Sequence, residues 1–142
     1  MQATRILPDL QCSLVCEDVR QEASGNLILI GVINVIRVPQ FPAAGRLFVL
    51  NRWTAGIGQF HESTRLIAPD QTTVVCKGEV KFELRDPSHS ATGVLVFAPV
   101  KFETAGTYFV EVLVDDVMKL RYPLVVMQAA APNQPQTAPQ TA

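Results

Sequence analysis

In the run CEDVRQE, Glu17, Asp18 and Glu22 put three carboxylates close together on the chain. Three carboxylates can hold a hard cation such as Ca²⁺, which takes several oxygen ligands. The Asp-x-Asp-x-Asp-Gly spacing of calcium loops is missing, however, and Arg20 sits where it neutralises the cluster. A solvated, ion-paired strand end is the simpler reading. Cys12, Cys16 and Cys76 could bind zinc with His61 or His89, but zinc sites bring ligands in close pairs. Cys12 and Cys16 lie about 13 Å apart if extended, so they read as small core residues. His61 and Glu62 are neighbours in a strand pattern and point to opposite faces, which denies them direct cooperation. Ser88, His89 and Ser90 fall in a turn-like loop, and turn chemistry accounts for Asp115 and Asp116. With no glycine-rich phosphate loop, nucleophile elbow or His-Glu-x-x-His pattern, the sequence is expected to be non-enzymatic, with no catalytic, cofactor-binding or metal-binding residues.

What remains is a scaffold. The 142 residues are 48% hydrophobic with a net charge of -1, so a packed domain is expected and no basic block exists to hold nucleic acid or an anionic membrane. The start, MQATRILPDLQ, lacks the apolar stretch of a secretory signal. The longest apolar run, NLILIGVINVI, is short of the ~20 residues that a spanning helix needs. An odd number of cysteines points to reduced thiols, and a cytoplasmic location is expected.

Period two dominates the chain and period 3.6 is scarce. Strands are expected over 11–17, 27–38, RLFVLNRW, QFHESTRLIA, TVVCKGEVKFEL, GVLVFAPVKF and the two arms of a terminal hairpin, about eight in all. Gly25 and Asn26 mark the first turn, Gly31 suggests a bulge or close backbone approach, and Pro99 an irregularity. VPQFPAAG and RDPSHSAT read as loops. The expected fold is an all-β antiparallel sandwich over residues 1–127, followed over 128–142 by a disordered tail of Ala, Pro, Gln and Thr.

In the last hairpin Tyr108, Val110, Val112 and Val114 share the core face. A plain two-residue turn at Asp115 and Asp116 would set Lys119 and Arg121 against Val112 and Val110, burying charge. One extra residue pairs Val114 with Met118, Val112 with Leu120, Val110 with Tyr122 and Tyr108 with Leu124, and keeps the face apolar. A three-residue loop or a bulge is therefore expected.

AGTYFV resembles the tyrosine corner of immunoglobulin-like sandwiches, in which a Tyr at the start of the second-last strand hydrogen-bonds back to the turn before it. Val110 then stands where antibody domains place their second cysteine, and Trp53 is matched to the buried Trp of that fold. CEDVRQEASGNLILIGVINVIRVPQFP, with GTYFVEVLVDD and YPLVV, is similar to a functionally uncharacterised family of small bacterial immunoglobulin-like domains, over residues 16–126. The departures lie at turns: Asp116 stands where that family commonly has glycine, and Ala105 where a proline often precedes the glycine. The resemblance implies an immunoglobulin-like sandwich of about seven to eight strands and no known activity.

The functional expectation rests on 27–38, which is apolar on both sides: Leu27, Leu29, Ile33 and Val35 in one row, and Ile28, Ile30, Val32 and Ile36 in the other. A sandwich covers only one face of each sheet, so the second row marks a protein interface. A non-enzymatic interaction or assembly module is expected, self-associating through that face or binding another protein. The alternative is a structural component of a larger assembly, such as a phage particle or secretion machine.

Overall fold

Runs of β-branched and alternating side chains satisfy their backbone groups by pairing between chain segments, and the described residues do so throughout. The computed structural model describes residues 4–130. Nine strands follow in order: β1 (Asp9–Gln21), β2 (Leu27–Val32), β3 (Val35–Val38), β4 (Ala43–Thr54), β5 (Gly58–Ile67), β6 (Val74–Leu84), β7 (Ser90–Phe102), β8 (Gly106–Val114) and β9 (Val117–Gln128). They build two packed sheets, one ordered β2-β1-β4-β7 and the other β3-β9-β8-β5-β6. Among the described residues there is no helix, hence none long and apolar enough to cross a membrane.

The run 27–38, expected as one strand, is two strands in different sheets. Gly31 takes φ +65°, a left-handed value that suits glycine, and the chain then leaves β2, turns at Ile33 and Asn34, and joins the second sheet as β3. There β3 runs parallel to β9, Val35 beside Val125 and Val38 beside Gln128, so the second sheet is mixed rather than purely antiparallel. Ile33 and Ile36 pack against the core, and Val35 is half-buried. The two expected apolar rows therefore do not exist as continuous rows.

The core lies between the sheets. β4 contributes Leu47, Val49 and Trp53, β5 Phe60 and Leu66, β7 Phe97, Val100 and Phe102, and β8 Tyr108, Val110, Val112 and Val114. Trp53 stacks on Phe82 at 5.5 Å between ring centroids, and Phe102 meets Tyr108 edge-on at 5.3 Å. The register between β4 and β7 shifts opposite Pro99, where the irregularity was expected. β9 continues to Gln128, and the Ala129 N–H donates to the Val38 carbonyl at 2.7 Å, beyond the expected domain boundary. Residues 131–142 of the expected tail lie outside the described residues.

The terminal hairpin has its bulge, in a different place. Tyr108 pairs with Leu124, Val110 with Tyr122 and Val112 with Leu120, as the apolar face requires. Val114, however, pairs with Val117 across a two-residue turn, and Lys119 is the extra residue between Met118 and Leu120. Asp115 and Asp116 both take positive φ, 47° and 65°, the type I′ geometry whose twist matches a hairpin. Asp tolerates that region better than most residues, which is why the turn did not need Val117.

Candidate functional site

The two outer faces of the sandwich differ in chemistry. On the five-stranded sheet, β5, β6, β8 and β9 point charged side chains outward and pair them. Arg65 Nε meets Glu111 Oε1 at 2.6 Å and Arg121 reaches the other Glu111 oxygen at 3.3 Å. Glu79 takes Lys77 at 2.8 Å and His61 at 3.4 Å. The Arg121 guanidinium also covers the Phe109 ring, 3.9 Å from its centroid. At its β9 side the same face also carries Met118 and Met127, both exposed.

On the four-stranded sheet the ladder aligns Val32, Cys16, Phe48 and Val96 in one row across β2, β1, β4 and β7, and Leu14, Leu50 and Val94 in the next. These residues alternate with Val15, Val49 and Leu95, which face the core, so they point outward, where Cys16 and Leu50 are themselves covered and Val32 and Val96 are not. Val96 is 51% exposed and Val32 48%. Neither row contains a charge; Arg46 sits beside Phe48 and Arg52 lies beyond Leu50. Leu27 and Leu29 line a depression of about 590 Å³ together with Cys12, Leu14, Leu50 and Arg52, which brings β2 over one end of this face. Of the residues expected at an interface, Leu27, Ile28, Leu29, Ile30 and Val32 belong to β2 at its border, Ile33 lies in the turn after it, and Val35 and Ile36 went to the other sheet. Sequence reasoning missed Phe48, Leu50, Val94 and Val96. The signal was there: LFVL and VLVF are apolar in both phases, as 27–38 is.

A second cluster lies in the seam between the sheets. Glu62 on β5 is 1% exposed and accepts from the Trp53 indole N–H of β4 at 2.5 Å. Beside it the Asn51 amide donates to the Thr64 hydroxyl at 2.8 Å, and both of these residues are fully buried. Two polar atoms of this cluster have no hydrogen-bond partner, Asn51 Oδ1 and Glu62 Oε2. Burial pushes the Glu62 carboxyl above its ordinary range; the bond from Trp53 and the polar Asn51 amide beside it act the other way and lose. Holding a carboxyl neutral at pH 7 against an ordinary value of 4.5 costs about 3 kcal/mol, whereas a buried carboxylate without a cation costs several more. Glu62 was read only as facing away from His61. Its phase with Phe60 and Leu66 was the overlooked clue.

The other chemistry-bearing residues are occupied structurally. Arg20 pairs with Asp18 at 3.1 Å. The three cysteines are free; Cys16 is buried, and burial pushes the Cys76 thiol up to about 11, so it carries little thiolate at neutral pH. Ser88 and Asp86 bond to each other within their loop at 2.7 Å. Among the described residues no group of three or more His, Cys, Asp or Glu is arranged to hold a metal. A depression of about 510 Å³ at the end of β5 and β6 contains Gln59, His61, Lys81, Glu83 and Asp115, but Gln59 holds Glu83 and Arg5 holds Asp115.

At the base of β8 the Tyr108 hydroxyl donates to the Thr104 carbonyl at 2.8 Å, closing the turn from β7. Gly106 is required beside it: φ is +149° and a Cβ would come 2.8 Å from Pro69. Trp53, by contrast, stands on β4, in the sheet opposite Tyr108. The buried Trp of immunoglobulin domains belongs to the strand here represented by β5, so the expected match of Trp53 fails by one strand and one sheet. The neighbour relations β1-β4-β7 and β9-β8-β5-β6, with this corner, are those of an immunoglobulin-like sandwich, with β2 added at one edge. The chain belongs to a family of unknown function (DUF6941), whose profile matches residues 11–127. No curated protein matches it.

Proposed function

We propose that this protein is a non-enzymatic assembly module that associates with a second copy of itself through the outer face of its four-stranded sheet. The observation that carries this reading is the uncharged apolar row on the four-stranded sheet, half-exposed at Val32 and Val96, while the ion pairs gather mainly on the other face. Two copies can face each other there without opposing like charges, and a twofold pairing needs only one such patch. Among the described residues β2 also has no neighbour on its outer edge, and its six residues Leu27–Val32 include neither Lys nor Pro, the usual guards against edge pairing. Three free thiols support a cytoplasmic setting for this activity. The test is sedimentation equilibrium of the wild type beside Val96→Glu and Val32→Asp, both exposed positions. A concentration-dependent dimer that either substitution converts to a folded monomer is expected; a wild type that stays monomeric at high micromolar concentration rejects the reading.

A further inference from the structure

We propose that Glu62 is carried in the folded sandwich as the neutral acid, its Oε2–H donated to Asn51 Oδ1, making a base-sensitive latch between β4 and β5. The geometry supplies two orphaned acceptors in one dry cluster, Asn51 Oδ1 and Glu62 Oε2. Two acceptors cannot bond each other, but a single proton on Oε2 turns one into a donor and satisfies both. Oε1 already accepts from the Trp53 indole N–H, and one of the two Asn51 amide N–H groups is held by Thr64, so Oε2 is the carboxyl oxygen left to carry a proton towards Asn51 Oδ1.

Among the described residues no cation is placed to pair with the ionised form. Across the ladders Glu62 faces Val80 of β6 and Val114 of β8; β4 presents Asn51 and Trp53, and β5 itself Phe60 and Thr64. His61 points to the outer face and meets Glu79. Arg5, over the Phe60 ring, and Asp115, after Val114, are paired with each other. Among the described residues no Lys, Arg or His forms an ion pair with Glu62. Burial acts on the carboxyl in the same direction, favouring the protonated form.

The sign of the pH effect follows. An acid that holds its proton more tightly when folded gives full stability below its ordinary value of 4.5, and that stability is lost as pH rises towards the folded value. Carboxylates with lowered values, such as Asp70 at about 2, act in the opposite sense and only at more acidic pH.

Two measurements decide it. In wild type labelled with ¹³C-glutamate, the Cδ resonance of Glu62, assigned through the backbone, should stay that of a carboxylic acid well above pH 5. In parallel, the wild-type unfolding constant should rise about tenfold per pH unit relative to Glu62→Gln until the folded value is passed, since one proton is linked. Gln keeps both hydrogen bonds, with its Nε2 donating to Asn51, and should remove that slope. A Glu62 resonance that titrates at or below the ordinary glutamate range overturns the proposal; the Asn51 amide would then be turned with its N–H towards a buried carboxylate. If Glu62→Gln fails to fold, the resonance alone decides.

Discussion

Tyr108 shows how one hydroxyl anchors a turn. Its ring is buried against Phe102, and its O–H reaches Thr104 four residues back. Tyr108→Phe keeps the ring packing and loses only the bond, at a cost of about 1 kcal/mol, since the exposed Thr104 segment can recruit water. The urea midpoint should fall with an unchanged m-value. Tyr108→Ala should cost about 3–5 kcal/mol by opening a cavity. Tyr108 was legible because the corner is a local motif: Gly106, Tyr108 and the acceptor all lie within a few residues. Glu62 was not, because its strand neighbours His61 and Ser63 face the opposite sheet surface and its partners come from β4.

At the level of elements, the β8–β9 hairpin separates register from turn. Register was readable because a one-residue slip would bury Lys119 or Arg121, and that cost is larger than any local preference. The site of the extra residue was not, because two aspartates in left-handed conformations cost little and let the chain turn early. Deleting Lys119 should leave every other pair intact and change stability by less than about 1 kcal/mol, whereas deleting Arg121 should cost about 2 kcal/mol or more, as thermal unfolding of the two variants would report. Asp116→Gly relieves a positive φ and should be stabilising by a few tenths of a kcal/mol, while Asp116→Val should lose about 1–3 kcal/mol.

Across the whole molecule, the partition of polarity matters more than any single side chain. One outer face has Glu111, itself buried, shared by Arg65 and Arg121, so that its carboxylate is compensated by two guanidinium groups. The other has Phe48, Val94 and Val96 in register with Cys16 and Leu14. If association occurs there, raising salt should weaken it little, because no ion pair spans the rows. Sedimentation at low and high ionic strength checks this, and strong dissociation in salt would move the contact to the charged sheet.

By itself the sequence determined an all-β sandwich, the position of its corner and the register of its last hairpin, since these follow from alternation, glycine placement and the cost of burying charge within short stretches. Sheet membership was decided only in three dimensions. Residues 27–32 and 35–38 share composition and phase, and nothing local says that the chain crosses between sheets at Ile33. Local pattern marks LFVL and VLVF as apolar in both phases and puts Glu62 in phase with Phe60, but which strands become neighbours in the outer rows and in the Asn51, Trp53, Glu62 and Thr64 cluster is decided by packing, because they lie far apart along the chain.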